Sequence, residues 1–105
     1  MAVHVESKSD FDAKLKEAGD SLVVVDFSAT WCGPCKVIGP QFESLATEHP
    51  NVVFLKVDVD ECHEIASEYA IVSVPTFIFL KKSEKVSMFS GANIEKLKEM
   101  VNEFK

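Results

Sequence analysis

The sequence predicts an α/β fold on a mixed sheet, and three observations carry that prediction. Two short, β-branched, nearly continuous apolar runs, "LVVVDFSA" (22–29) and "NVVFLKVDV" (51–59), read as strands covered on both faces. Helical patterns lie before, between and after them. Two further runs, "PTFIFLK" (75–81) and "KVSMFS" (85–90), are separated by only a short polar stretch, which predicts an antiparallel hairpin at one edge.

Taken in order, "AVHVE" (2–6) is a weaker first strand. Phe11, Leu15 and Ala18 then recur at helical spacing, with Ser7 or Ser9 as candidate N-caps and Gly19 as a stop. After the strand 22–29, "PCKVIGPQFESLATEH" (34–49) reads as a long helix. It should bend at Pro40, which has no N–H to return to the Lys36 carbonyl. Beyond the strand 51–59, Asp60 is a candidate cap for a helix burying Cys62, Ile65, Ala66 and Tyr69. The turn "KSE" (82–84) lacks the Gly or Asn that tight hairpins favour. Asn93 is placed to cap a last helix with Ile94, Leu97, Val101 and Phe104 turned inward. The order is β-α-β-α-β-α-β-β-α, parallel in its first half and antiparallel at one edge. Such sheets place their chemistry at the carboxyl ends of strands, and Cys32 lies just past the end of 22–29.

The 105 residues fit one domain, residues 1–105. Folding a chain of this length hides roughly 65% of its extended surface, enough for a core without staples. Its 47% hydrophobic and 27% charged residues are those of a globular domain rather than a disordered one. A net charge of -6 and scattered lysines argue against a nucleic-acid partner, which needs a clustered basic face. No apolar run reaches membrane-spanning length, so no membrane partner is expected. The start "MAVHVESKSD" carries no presequence features, and three cysteines form no disulfide framework. Both point to a reducing, cytoplasmic setting, with the nucleus also open to it.

The chemistry concentrates in "SATWCGPCKVIGP" (28–40). Pro34 suits the first turn of a helix, which puts Cys32 at the helix N-terminus and Cys35 inside the first turn. Cα atoms at that spacing are roughly 5–5.5 Å apart, inside the window for a disulfide. Cys32 faces the unpaired N–H groups and positive end of the helix, which favours its thiolate; Cys35 should be the less exposed of the two. One thiol is then built to attack and the other to resolve. Gly33 keeps the loop slim for a partner chain. Trp31 either packs in the core or offers that partner a flat apolar surface.

Two other uses of the pair are open to a CxxC. As a structural staple it closes a loop of only four residues, worth about 2 kcal/mol. As half of a zinc site it needs Cys62 and His63 to complete four ligands, yet these are adjacent rather than spaced as a second ligand pair. Cys62 reads better as a buried small hydrophobe and His63 as a surface residue. No metal is expected, and His4 and His49 lack a nucleophilic-triad context.

Asp26 interrupts a run that otherwise reads as buried strand. Either it reaches water at the strand end, or it is a buried carboxyl whose raised pKa suits it to accept a proton near the inner thiol. Lys56 sits either beside it on a neighbouring strand or outward.

With Trp31-Cys32-Gly33-Pro34-Cys35 after "VVVDFSAT", then "VPTF" (74–77) and "FSGAN" (89–93), the chain resembles the thioredoxin family, in particular its small cytosolic animal members, over essentially its whole length. The resemblance implies a three-layer α/β/α thioredoxin fold with a mixed five-stranded sheet and four flanking helices. It implies a general protein disulfide reductase in which Cys32 is the nucleophile, Cys35 resolves, and Asp26 accepts the proton of Cys35. Pro75 would be cis and lie against the active-site disulfide, leaving the Val74 backbone for an incoming strand. Trp31, Val74, Pro75, Thr76, Gly91 and Ala92 would make up the substrate-binding surface around Cys32. The resemblance also implies no bound cofactor, with electrons drawn from NADPH through a flavoprotein thioredoxin reductase. Peroxiredoxins, methionine sulfoxide reductases and ribonucleotide reductase would be clients. Vertebrate members often carry cysteines where this chain has Tyr69 and Ser73. A disulfide dimer through position 73 is therefore excluded, and a mainly monomeric protein is expected. Asp58, Asp60 and Glu61 are retained near the site. A redox-gated binding protein would use the same apolar patch without turnover. An oxidase or isomerase of the same fold is disfavoured by Gly-Pro between the cysteines.

Overall fold

The chain runs β1 (Val3–His4), α1 (Lys8–Ala18), β2 (Val23–Ser28), α2 (Gly33–Glu48), β3 (Val53–Asp58), α3 (His63–Glu68), β4 (Thr76–Lys81), β5 (Glu84–Ser90) and α4 (Ile94–Phe104). This is the expected order, in a computed structural model that describes residues 1–105. The five strands lie in the order β1-β3-β2-β4-β5. β1, β3 and β2 are parallel, and β4 and β5 are antiparallel to their neighbours.

Alternation along the central strands sorts their side chains into two layers. Val24, Phe54, Phe77 and Phe79 pack with Ile38 and Phe42 of α2 and Leu97 and Val101 of α4. Val23, Val25, Phe27, Leu55 and Ile78 turn the other way, toward Phe11 and Leu15 of α1 and Ile65 of α3. Residues 4, 26 and 56 share the α2 face of the sheet, because His4 is paired with Lys56 and Lys56 with Asp26 in register. That row positions the site described below.

The helices start where the sequence supplies caps. The Ser7 hydroxyl accepts from the Asp10 N–H (3.1 Å), and Asn93 accepts from the Lys96 N–H (3.0 Å). Gly19 ends α1 with φ 59°, a conformation glycine adopts freely. α2 is a continuous helix that carries Pro40 inside it.

Two local expectations are corrected. Asp60 caps nothing: α3 starts after Cys62 without a side-chain cap. Asp58 organises that turn instead, accepting from the N–H groups of Asp60 (2.8 Å) and Glu61 (3.3 Å). A carboxylate two residues before the amide it binds is the usual Asx-turn geometry. The β4–β5 hairpin turns on only Lys82 and Ser83, with φ 52° and 67°. Positive φ at both positions matches the strand twist, at a cost of roughly 1–2 kcal/mol per non-glycine residue.

Candidate active site

β2 ends at Ser28, and Cys32 is the N-cap of α2, extended at φ -88° and ψ 112°. The Cys35 N–H donates to Cys32 Sγ (3.2 Å), so this sulfur occupies the place a capping oxygen would take. Cys32 and Cys35 are joined in a disulfide with their Cα atoms 5.3 Å apart. Pro34 occupies the first turn, and no acidic side chain there offsets the positive helix end.

The expected difference in exposure is not found. Cys32 is 4% exposed and Cys35 7%. Cys32 is covered because its sulfur lies 3.7 Å from the Val74 carbonyl oxygen, and Val59 and Val74 pack against the pair. Cys35, by contrast, lines an open cavity on the α2 side of the sheet. Gly33 is exposed, and a Cβ there would meet nothing within 4 Å, so no neighbour within the chain requires a glycine.

The Cys32 side is apolar. Trp31, 69% exposed, forms one wall of a groove of about 160 Å3 whose other residues are Val59, Ile71, Val72, Ser73 and Val74. The indole N–H donates to Asp60 Oδ2 (2.8 Å), which fixes the ring outside the core. The Val74–Pro75 peptide bond is cis. Val74 makes no backbone–backbone hydrogen bond. Pro75 is buried, and its carbonyl accepts from the N–H of exposed Gly91 (2.9 Å). Ala92 is exposed beside it, and neither Gly91 nor Ala92 lines the groove.

Thr76 does not present its side chain to the surface. Its side chain is buried, its hydroxyl donates to the Ser73 carbonyl (2.7 Å), and it shares a hydrogen bond with Ser90 Oγ (2.8 Å). It ties the loop before β4 to β5. The groove also takes in Val59, Ile71 and Val72, the last 94% exposed, none of which the sequence singled out. The signal was present in "AIVSVP" (70–75), an apolar pair stranded between a helix end and a proline.

The Cys35 side is polar. A cavity of about 590 Å3 is walled by Cys35, Lys36, Gly39 and Glu43 of α2 and by Asp26, Lys56 and His4 of the sheet, with Asp58 at its rim. Asp26 is only 2% exposed and its Oδ1 has no hydrogen-bond partner. Burial pushes its carboxyl up to about 7, and the positive charge of Lys56 on the next strand pulls the other way. Asp26 takes part in none of the ion pairs, so Lys56 opposes it across the sheet without closing on it. The strand-end alternative for Asp26 is thereby removed.

Cys62 is buried with its sulfur 3.7 Å from the Val5 carbonyl oxygen, while His63 is exposed. No group of three or more His, Cys, Asp or Glu side chains is placed to hold a metal ion.

The sequence model of the family described as Thioredoxin matches residues 2–103. The chain belongs to the thioredoxin family. It is 58% identical over 104 residues to thioredoxin of Callithrix jacchus, spanning 99% of each chain. It is 57% identical over 103 residues to that of Homo sapiens, spanning 98% of each. Among solved structures it is similar to Fasciola hepatica thioredoxin, with a TM-score of 0.96 at 45% identity and full coverage of both chains. Its activity is that of this family, protein disulfide reduction by thiol–disulfide exchange through the Cys32–Cys35 pair. No helix is long and apolar enough to cross a membrane.

Proposed function

We propose that Cys32 is the attacking thiolate of this reductase, Cys35 the resolving thiol and Asp26 the base that serves Cys35. The observation that carries the division of labour is the placement of Asp26, a buried and unpartnered carboxyl on the wall of the cavity that Cys35 also lines. In the reduced protein, the end of α2 favours the Cys32 thiolate. That sulfur attacks one sulfur of a client disulfide and releases the other as a thiolate, leaving a mixed disulfide on Cys32. Asp26 then takes the proton of Cys35, and the new thiolate attacks the Cys32 sulfur. This closes the Cys32–Cys35 disulfide and frees the second client thiolate. A carboxyl poised near pH 7 suits a step that must both accept and release a proton at neutral pH.

The client segment lies along the groove of Trp31, Val59, Ile71, Val72 and Val74, pairing with the unused Val74 backbone as an added strand. Gly91, held to the Pro75 carbonyl, and Ala92 offer further exposed backbone outside the groove. The protein works as a monomeric, single-domain electron carrier in the cytoplasm and nucleus, with no cofactor of its own. NADPH supplies electrons through a thioredoxin reductase, and peroxiredoxin, methionine sulfoxide reductase and ribonucleotide reductase receive them.

The test is catalysed reduction of a protein disulfide by dithiothreitol. The parent turns over, Cys32→Ser does not, and Cys35→Ser accumulates a mixed disulfide with the client. A mixed disulfide that forms on Cys35 in the Cys32→Ser protein, at the rate of the reverse variant, would overturn the assignment.

A further inference from the structure

The two sides of the disulfide are built differently, and the polar side has a property that the proton step alone does not require: it is large and open. On one wall, His4, Lys56 and Asp26 stand in register across three strands. On the other, α2 contributes Cys35, Gly39 and Glu43, four residues apart and so on one helical face. The space of about 590 Å3 between them compares with the roughly 30 Å3 that one water occupies in the liquid. An unpartnered buried carboxyl oxygen is costly unless a small donor reaches it, and the walls supply further polar partners to hold such a molecule.

Gly39 sits at the middle of the α2 stripe. A helical side chain leans toward the helix N-terminus and covers the residue one turn before it, which for position 39 is Cys35. A Cβ at Gly39 would meet nothing within 4 Å, so no neighbour forces a glycine there. The local reason for glycine is Pro40, whose ring crowds the Cβ of a preceding helical residue. Alanine carries that crowding without filling the cavity, which separates the two explanations.

We propose that this cavity is a port admitting small hydrogen-bonding molecules, water and short monocarboxylic acids, to Cys35 and Asp26, and that Gly39 is the positioning residue that keeps it open. The inference rests in part on Asp26 serving Cys35. Protons then enter and leave the active site on the side away from the client. Where Asp26 is absent, a carboxylate in the port takes its place: formate and the Cys35 thiol give formic acid and the Cys35 thiolate, which attacks the mixed disulfide as before.

Two measurements test it. In the Cys32→Ser protein, Cys35 thiolate displaces methanesulfinate from methyl methanethiosulfonate and becomes a methyl disulfide, followed by peptide mass spectrometry with Cys62 as internal reference. Adding Gly39→Leu slows Cys35 by about tenfold or more, while Gly39→Ala leaves it within about twofold and Cys62 reacts at an unchanged rate in both. Gly39→Met replaces Gly39→Leu if the latter does not fold. Equal rates with the large and small side chains overturn the port. In the second measurement, formate raises the turnover of Asp26→Ala and does not raise that of Asp26→Ala with Gly39→Leu. Rescue that survives Gly39→Leu, or slow Asp26→Ala turnover that formate never raises, also overturns the port. Normal turnover of Asp26→Ala refutes the acid–base role instead, and the methanethiosulfonate rates then decide the port by themselves.

Discussion

Replacing Asp26 with alanine should make the protein more stable, and only above acidic pH. The carboxyl is 2% exposed, has an unpartnered oxygen, and is pushed by burial from 3.8 to about 7. A group whose folded pKa lies above its unfolded value contributes fully below the unfolded pKa. The contribution is lost as pH rises through the folded pKa. For Asp26 the window is therefore pH 4 to 7, and the loss across it is roughly 4 kcal/mol. Asp26→Ala removes that loss. The space it leaves joins a cavity already open to solvent, so the packing penalty is about 1 kcal/mol or less. The variant should exceed the parent by about 3 kcal/mol at pH 8 and match it within about 1 kcal/mol at pH 4. In thermal terms the gain at pH 8 is about 10–20 °C. Guanidinium unfolding of both oxidised proteins at pH 4, 6 and 8 measures it. A difference that is the same at all three pH values would refute the claim that Asp26 is a desolvated carboxyl held protonated by its burial.

The other predictions concern the groove. Trp31→Ala should raise KM for a protein disulfide by about tenfold, the effect of losing an aromatic anchor, and shift stability by no more than about 0.5 kcal/mol because the ring is mostly exposed. Steady-state kinetics with a melting curve check both halves. Val72→Asp should leave the melting temperature unchanged and raise KM several-fold for a folded client, since docking must then desolvate a charge. Turnover of a small disulfide such as cystine should be unaffected, and an equal loss with both substrates would place Val72 outside the docking surface.

Where local sequence determines structure, the reading was accurate. The cap at Asn93, the choice of Ser7 among two candidate caps, a helix start within one residue of Pro34, and the covered strands around Val24 and Phe54 each follow from one residue type acting through its own backbone or periodicity. Where several segments must meet, it failed. Asp60 has the composition of a cap, yet its carboxylate is drawn to the Trp31 indole from 29 residues away. Thr76 stands next to a site proline, yet its hydroxyl is used by Ser73 and Ser90. Val59 reads as the end of a covered strand, and only the fold shows that it borders an open groove. Asp26 was legible as an anomaly, a charge within an apolar run. Its pairing in register with Lys56 became visible only once the strands were aligned.

The separation of the two sides of the disulfide explains why the buried acid lies where it does. A client docked along Trp31, Val72 and Val74 excludes water from Cys32, which strengthens the electrostatic pull of the helix end on that thiolate. The same exclusion would strand the proton of Cys35 if the groove were its only exit. Asp26 is on the α2 face of the sheet, with Lys56 and His4 leading outward in register. On the proposed roles, the proton would leave through the wall opposite the client. An acid on the groove side would have to be desolvated at every docking event, at a cost repeated for each client. Placed behind Cys35, its desolvation is met once, in folding, and the roughly 4 kcal/mol that the parent should lose between pH 4 and 7 is the size of that cost.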